Sequence, residues 1–145
     1  MRKLIQYDLS VFSSLSPHAV ILEIGSHDLS DLLPEVVGSE IEELVRLLLD
    51  SYAVRVIGVC EVIPRRVCAP IFNDAALILN QYLRGVLDPI PNVFCWQHRA
   101  FSEPSRDLYL SDGVPVSSSG QYLLYCSYRG TILQALCILA CPPAP

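Results

Sequence analysis

A chain of 145 residues has the length of one ordinary domain, and 52% hydrophobic against 17% charged residues is enough to build a core, which excludes a wholly disordered chain. Ten basic and fifteen acidic side chains give a formal charge of −5, without the Lys/Arg excess that a phosphate backbone demands, so nucleic acid is not an expected partner. With so few charges, much of the surface must be made from Ser, Pro, Gly, Gln and backbone, or else some apolar face is covered by further sequence or by a partner.

Residues 1–18 mix Arg2, Lys3, Gln6 and Asp8 with scattered apolar residues, which is a leader or remnant helix rather than a secretion signal. The expected protein is therefore soluble and intracellular, with no compartment specified. Ala19 to Ile24 is an almost continuous apolar run ended by Gly25, the pattern of a strand covered on both faces in a parallel sheet. Ser39 precedes Glu42 by three residues as in a capping box, and Ile41, Leu44, Val45 and Leu48 share one helical face, so a helix is expected from Ser39 or Glu40 to Ser51.

The β-branched stretch Tyr52 to Cys60 predicts a second strand, stopped by Pro64. Phe72, Ala75, Ala76, Leu79, Tyr82 and Leu83 keep a helical period from about Pro70, with Gly85 as the expected end. Asn92 to Trp96 predicts a third strand. Gln97 to Ser119 has no sustained period and reads as a long surface loop with local turns. The last helix is expected over Ser119 to Leu139, with Leu124, Tyr128, Ile132, Leu136 and Leu139 or Ala140 along one stripe, and Cys141 to Pro145 is a proline-rich tail. The apolar stretch Thr131 to Ala140 is about half of the roughly 20 residues that a membrane helix needs. It is expected to be the buried end of a core helix, with no membrane partner. Strands alternating with helices imply a parallel sheet flanked by helices in one domain over 1–145.

Six cysteines stand at 60, 68, 95, 126, 137 and 141, with no Cys-x-x-Cys. Cys137 and Cys141 are one helical turn apart without an accompanying histidine, so they are expected to be buried thiols, as is Cys95 within the third strand. No metal or cofactor is expected. His98 reads as a polar loop residue or cap, the alternative being a base in a rebuilt Ser-His-Asp site with Asp112 and a nearby Ser102, Ser105 or Ser111. Ser26, His27 and Asp28 are three triad residue types in a row, but consecutive side chains diverge and cannot form a relay. Tyr122, Tyr125 and Tyr128 lie at helical spacing, expected for core packing or contact with a partner helix.

The strand that ends in Gly25-Ser26-His27-Asp28 resembles the SGNH or GDSL hydrolase block in which a strand ends in Gly-x-Asn-Asp. Arg106 to Val116, followed by Gly120-Gln121-Tyr122, is similar to that family's Asp-x-x-His block. More narrowly, Gly25 to Leu29, Val62 to Arg65, Trp96 to Arg99 and Gly120 to Leu136 resemble the esterase-like domains of invertebrate retroelement proteins and their domesticated relatives. The resemblance covers nearly all of the chain after about residue 15. It implies a three-layer α/β/α, flavodoxin-like SGNH-type fold with a parallel sheet, incomplete at its N-terminus, and a family activity of serine esterase.

Carried over residue by residue, Asp112 matches the triad acid, Pro115 stands where the base is expected, and Gly25 and His27 occupy the oxyanion region, with His27 in place of the amide donor. The 145 residues contain no Gly-Asp-Ser, the block that supplies the family's nucleophile. A serine hydroxyl needs a neighbouring base to remove its proton and an acid to orient that base. Proline can do neither. The expected function is a non-catalytic remnant or pseudoenzyme of an SGNH serine esterase. The alternatives are a hydrolase of small esters or O-acetyl groups using a serine from outside this sequence, and a protein-binding module using the degenerate cleft. The partners to match are a small ester or acetylated ligand and a second copy pairing along an uncovered sheet edge.

Overall fold

The computed structural model describes residues 9–66, 70–102, 106–111 and 113–141. In chain order the elements are α1 (Ser10–Leu15), β1 (Ala19–Leu22), α2 (Pro34–Ser51), β2 (Val56–Cys60), α3 (Pro70–Leu87), β3 (Val93–Trp96) and α4 (Ser118–Ala140). Single 3-10 turns at Asp28–Ser30, Arg99–Phe101 and Arg106–Leu108 break up the connections, and Tyr109 pairs with Val116 across the last loop.

The three strands are parallel in the order β1-β2-β3, with Ala19 opposite Val56 and Cys60 opposite Trp96 at the two ends of the ladders. Because side chains alternate along a strand, each apolar run feeds two cores. Val20, Leu22, Ile57, Val59 and Val93 join the large core with Val37, Ile41, Leu44, Leu48, Leu79 and Leu83 of α2 and α3. Val56 and Phe94, with Ala19, Ile21 and Trp96 beside them, face Ala135, Ile138 and Leu139 of α4. The result is a three-layer α/β/α arrangement on a parallel sheet. Both crossover helices lie on one face, as two crossovers of the same hand stepping the same way across a sheet require.

Several boundaries differ from the sequence pattern, β1 ending at Leu22, two residues before the expected Ile24. Helix α2 starts at Pro34, so Ser39 lies inside the helix and exposed instead of capping it. Proline at the first helical position is preorganised for that turn, and buried Val37 and Gly38 pack the early turns inward, Gly38 directly beneath the Tyr82 ring. Helix α3 passes through Gly85 to Leu87, whose side chain is fully buried and holds the final turn. The second strand begins only at Val56, because Ala53 turns with φ +54° and the Arg55 and Val56 amides both donate to the His18 carbonyl.

Helix α4 departs most from expectation. Of its 23 residues only Gly120, Thr131 and Ala135 are buried, while Ile132, Leu133 and Leu136 are half exposed. Thr131 to Ala140 is thus not the buried end of a core helix. Tyr122 and Tyr125 are exposed and do not pack in a core, and Cys137 and Cys141 are exposed instead of buried. A helix whose apolar residues are spread around its circumference has no strong preference for one face, and over a three-stranded sheet it buries its small residues, which allow the closest approach. Among the described residues α4 is the one helix long and apolar enough to cross a membrane by length and composition.

Candidate functional site at the carboxyl ends of the strands

The same alternation that builds two cores aligns three polar residues. Glu23 lies two positions beyond Ile21, Cys60 four beyond Val56, and His98 two beyond Trp96, so all three fall on the α4 face. The strand register puts Cys60 level with Trp96, and Glu23 one step past the Leu22–Val59 pair. The ligating atoms of Glu23, Cys60 and His98 accordingly lie within 4.8 Å of one another.

Helix α4 covers this cluster with Ser127, Tyr128 and Thr131. His98 Nδ1 is 2.8 Å from Ser127 Oγ, and its Nε2 is 3.0 Å from Glu23 Oε2. Trp96 Nε1–H donates to the same Ser127 oxygen at 2.9 Å. Facing an ionised Glu23, which only accepts, a neutral His98 carries its proton on Nε2, and the Ser127 hydroxyl then donates to Nδ1. The His98 side chain is 1% exposed and that of Glu23 41%, so the cluster opens to solvent on the glutamate side. Phe101 and Tyr128 meet the imidazole edge to face, with centroids at 6.5 and 5.4 Å. Burial pushes the Cys60 thiol well above its ordinary range, and the nearby Glu23 carboxylate adds to this while a hydrogen bond with Thr131 opposes it. Tyr128 is pushed up by the same two causes in the same order.

Beside the cluster, the segment leaving β2 is clasped by α3. The Asn80 amide accepts from the Val62 N–H and donates to the Val62 carbonyl, and Asn73 does the same for Arg65, at 2.8–3.0 Å. The spacing explains the match: seven helical residues and three extended ones each span about 10 Å. Buried Glu61 pairs with Arg84, and a cavity of about 340 Å³ opens between Glu61, Asn80, Arg84, His98 and Phe101. A second, wider cleft of about 840 Å³ is lined by Trp96, Arg99, Ser127 and Gln134.

The residues singled out from the sequence lie around the neighbouring loops. Gly25 is buried with φ +96°, and a Cβ there would stand 3.3 Å from Ile41 Cδ1. His27 is exposed, and its carbonyl accepts from Ser30 in the following turn. Arg65 lies 3.7 Å over the Phe72 ring and extends to within 3.5 Å of the Ser26 carbonyl and the Ser30 hydroxyl. The Arg66 amide donates to the Gly113 carbonyl at 2.9 Å, so consecutive arginines touch the loop of His27 and the loop of residues 106–116. Pro115 is exposed, and its carbonyl accepts from Leu110 at 2.9 Å. Asp112 lies outside the described residues. His98 does stand at the N-cap of the 3-10 turn Arg99–Phe101, as the cap reading expects, but its side chain makes no capping bond and is instead a buried member of the polar cluster. The sequence reading missed Glu23 and Ser127 as its partners; the signal for Glu23 was one acid inside an otherwise apolar strand run.

No protein-family model matches this chain, and no curated protein matches it. A solved structure described as "a putative platelet activating factor from Streptococcus pneumonia" is similar at a TM-score of 0.65 and 17% sequence identity, over 77% of this chain and 58% of that one. The likeness shows a shared fold, and this chain spans less than two thirds of that structure.

Proposed function

We propose that this chain is an SGNH-type, esterase-like framework without acyl-transfer chemistry, its cleft at the strand ends left as a binding surface for a small ester or acetylated group. The observation that carries this reading is the placement of Ser127. It lies in the middle of α4, where neighbouring backbone N–H groups are consumed by the helix, unlike a nucleophile at a helix start with free donors for an oxyanion. Its oxygen already accepts the indole N–H of Trp96. Pro115, at the position where the resemblance expects the base, has no titratable nitrogen. The fold likeness to the streptococcal structure supports the framework.

A second reading is a rebuilt hydrolase with Ser127 as nucleophile, His98 as base and Glu23 as orienting acid, favoured by the unbroken hydrogen bonds of 2.8 and 3.0 Å. A serine-directed fluorophosphonate separates the two. The expected outcome is no covalent adduct on the folded protein and no turnover of short acyl esters above an Asp112→Ala control. Phosphonate on the Ser127 peptide, with turnover abolished in Ser127→Ala, would replace the first reading with the second.

A further inference from the structure

The cluster at the strand ends combines a thiol, an imidazole and a carboxylate, which is a donor set suited to a borderline-soft divalent ion and poorly suited to magnesium or calcium. We propose that Glu23, Cys60 and His98 form a three-ligand site for a zinc-class ion, with the fourth position open on the solvent side of Glu23. This goes beyond the esterase-like reading and does not depend on it.

The geometry is close to what a tetrahedral ion requires. At metal–ligand distances of about 2.0–2.3 Å, neighbouring ligands stand roughly 3.3–3.6 Å apart. His98 Nε2 and Glu23 Oε2 are 3.0 Å apart, and all three donor atoms lie within 4.8 Å, so closure requires movements of about an ångström. The three residues extend from adjacent, hydrogen-bonded strands, which fixes their spacing in the framework. His98 and Cys60 are buried while Glu23 reaches solvent, giving an ion an entry path and room for water as fourth ligand.

A second layer of contacts is also present. A metal-binding histidine needs its far nitrogen held by a hydrogen bond, and His98 Nδ1 already faces Ser127 Oγ at 2.8 Å. On binding, the Cys60 proton passes to solvent. The single imidazole proton resides on Nδ1 and is donated to Ser127, whose own hydroxyl hydrogen turns to the carbonyl of the preceding helical turn. Thiolate and carboxylate together balance the two positive charges, so the partly buried site carries no net charge to desolvate.

The test uses the full chain with Cys68, Cys126, Cys137 and Cys141 replaced by serine, so that they cannot supply thiolates. Cobalt(II) should bind one to one with tetrahedral d–d bands and thiolate-to-cobalt charge transfer, and zinc should displace it. Cys60→Ala should abolish the charge-transfer band. Glu23→Gln, at a half-exposed position, should keep the native circular dichroism and weaken cobalt binding at least tenfold. Ser127→Ala should preserve the spectrum and weaken binding by about 10–100-fold. Absence of the charge-transfer band in folded protein, its persistence in Cys60→Ala, or unchanged affinity in Glu23→Gln would each overturn the proposal. If Cys60→Ala does not fold, Glu23→Gln decides.

Discussion

At Cys95 the thiol is pushed up to about 12, first by burial and then by the Asp88 and Glu61 carboxylates, with Arg84 opposing them. Cys60 is raised further by burial and Glu23. A raised thiol pKa lowers the thiolate fraction near neutrality, and the thiolate is the form that attacks an alkylating reagent. Cys126 and Cys137 are exposed on α4, and Cys141 is exposed just after its end. Iodoacetamide at pH 8 should therefore modify these three in the native protein and spare Cys60 and Cys95, while urea should make Cys60 and Cys95 reactive as well. Peptide mass mapping reads the result, and rapid native-state modification of Cys60 would contradict the placement of its thiol.

Two helical glycines separate propensity from packing. Replacing glycine by alanine inside a helix gains about 0.5–1 kcal/mol from backbone entropy alone. At Gly85 a Cβ would meet nothing within 4 Å, so Gly85→Ala should be stabilising by about that amount. At Gly130 a Cβ would lie 2.8 Å from Trp96 Cζ2, and moving the indole would disturb its bond to Ser127. Gly130→Ala should lose about 1–3 kcal/mol through overpacking, outweighing the propensity gain. Urea denaturation of the two variants should move the midpoint in opposite directions. A stabilised Gly130→Ala would mean that α4 does not seat on Trp96 as described.

Among the described residues, apolar surface is left uncovered. β1 and β3 are the edges of a three-stranded sheet, and α4 presents Tyr125, Ile132, Leu133 and Leu136 at half exposure or more. An edge strand beside an apolar helix favours pairing with another copy. Sedimentation velocity from low to high micromolar concentration should show reversible association, diminished in the double variant Ile132→Lys, Leu136→Lys, whose exposed positions spare the core. A single monomeric species throughout would leave the β1 edge and the α4 surface without this role.

The order and type of the elements were legible in the sequence because they depend on local pattern. Val20 to Leu22, Val56 to Cys60 and Val93 to Trp96 are apolar without interruption, and α2 and α3 repeat every 3.6 residues. That Pro115 cannot act as a base was equally plain from its chemistry. The candidate site was not legible. Strands apolar on both faces give no alternation to reveal which residues point the same way, so the shared face of Glu23, Cys60 and His98 depends on register between strands. Ser127 and Glu23 lie 29 and 75 residues from His98 along the chain. The pattern also assigned α4 the wrong face: of the stripe Leu124, Tyr128, Ile132, Leu136 and Leu139, Ile132 and Leu136 are half exposed, while Thr131 and Ala135 are the buried positions of that stretch. Packing of its small residues against Trp96 and Phe94 decides that Ser127, and not the exposed Tyr125 or Leu133, meets the histidine.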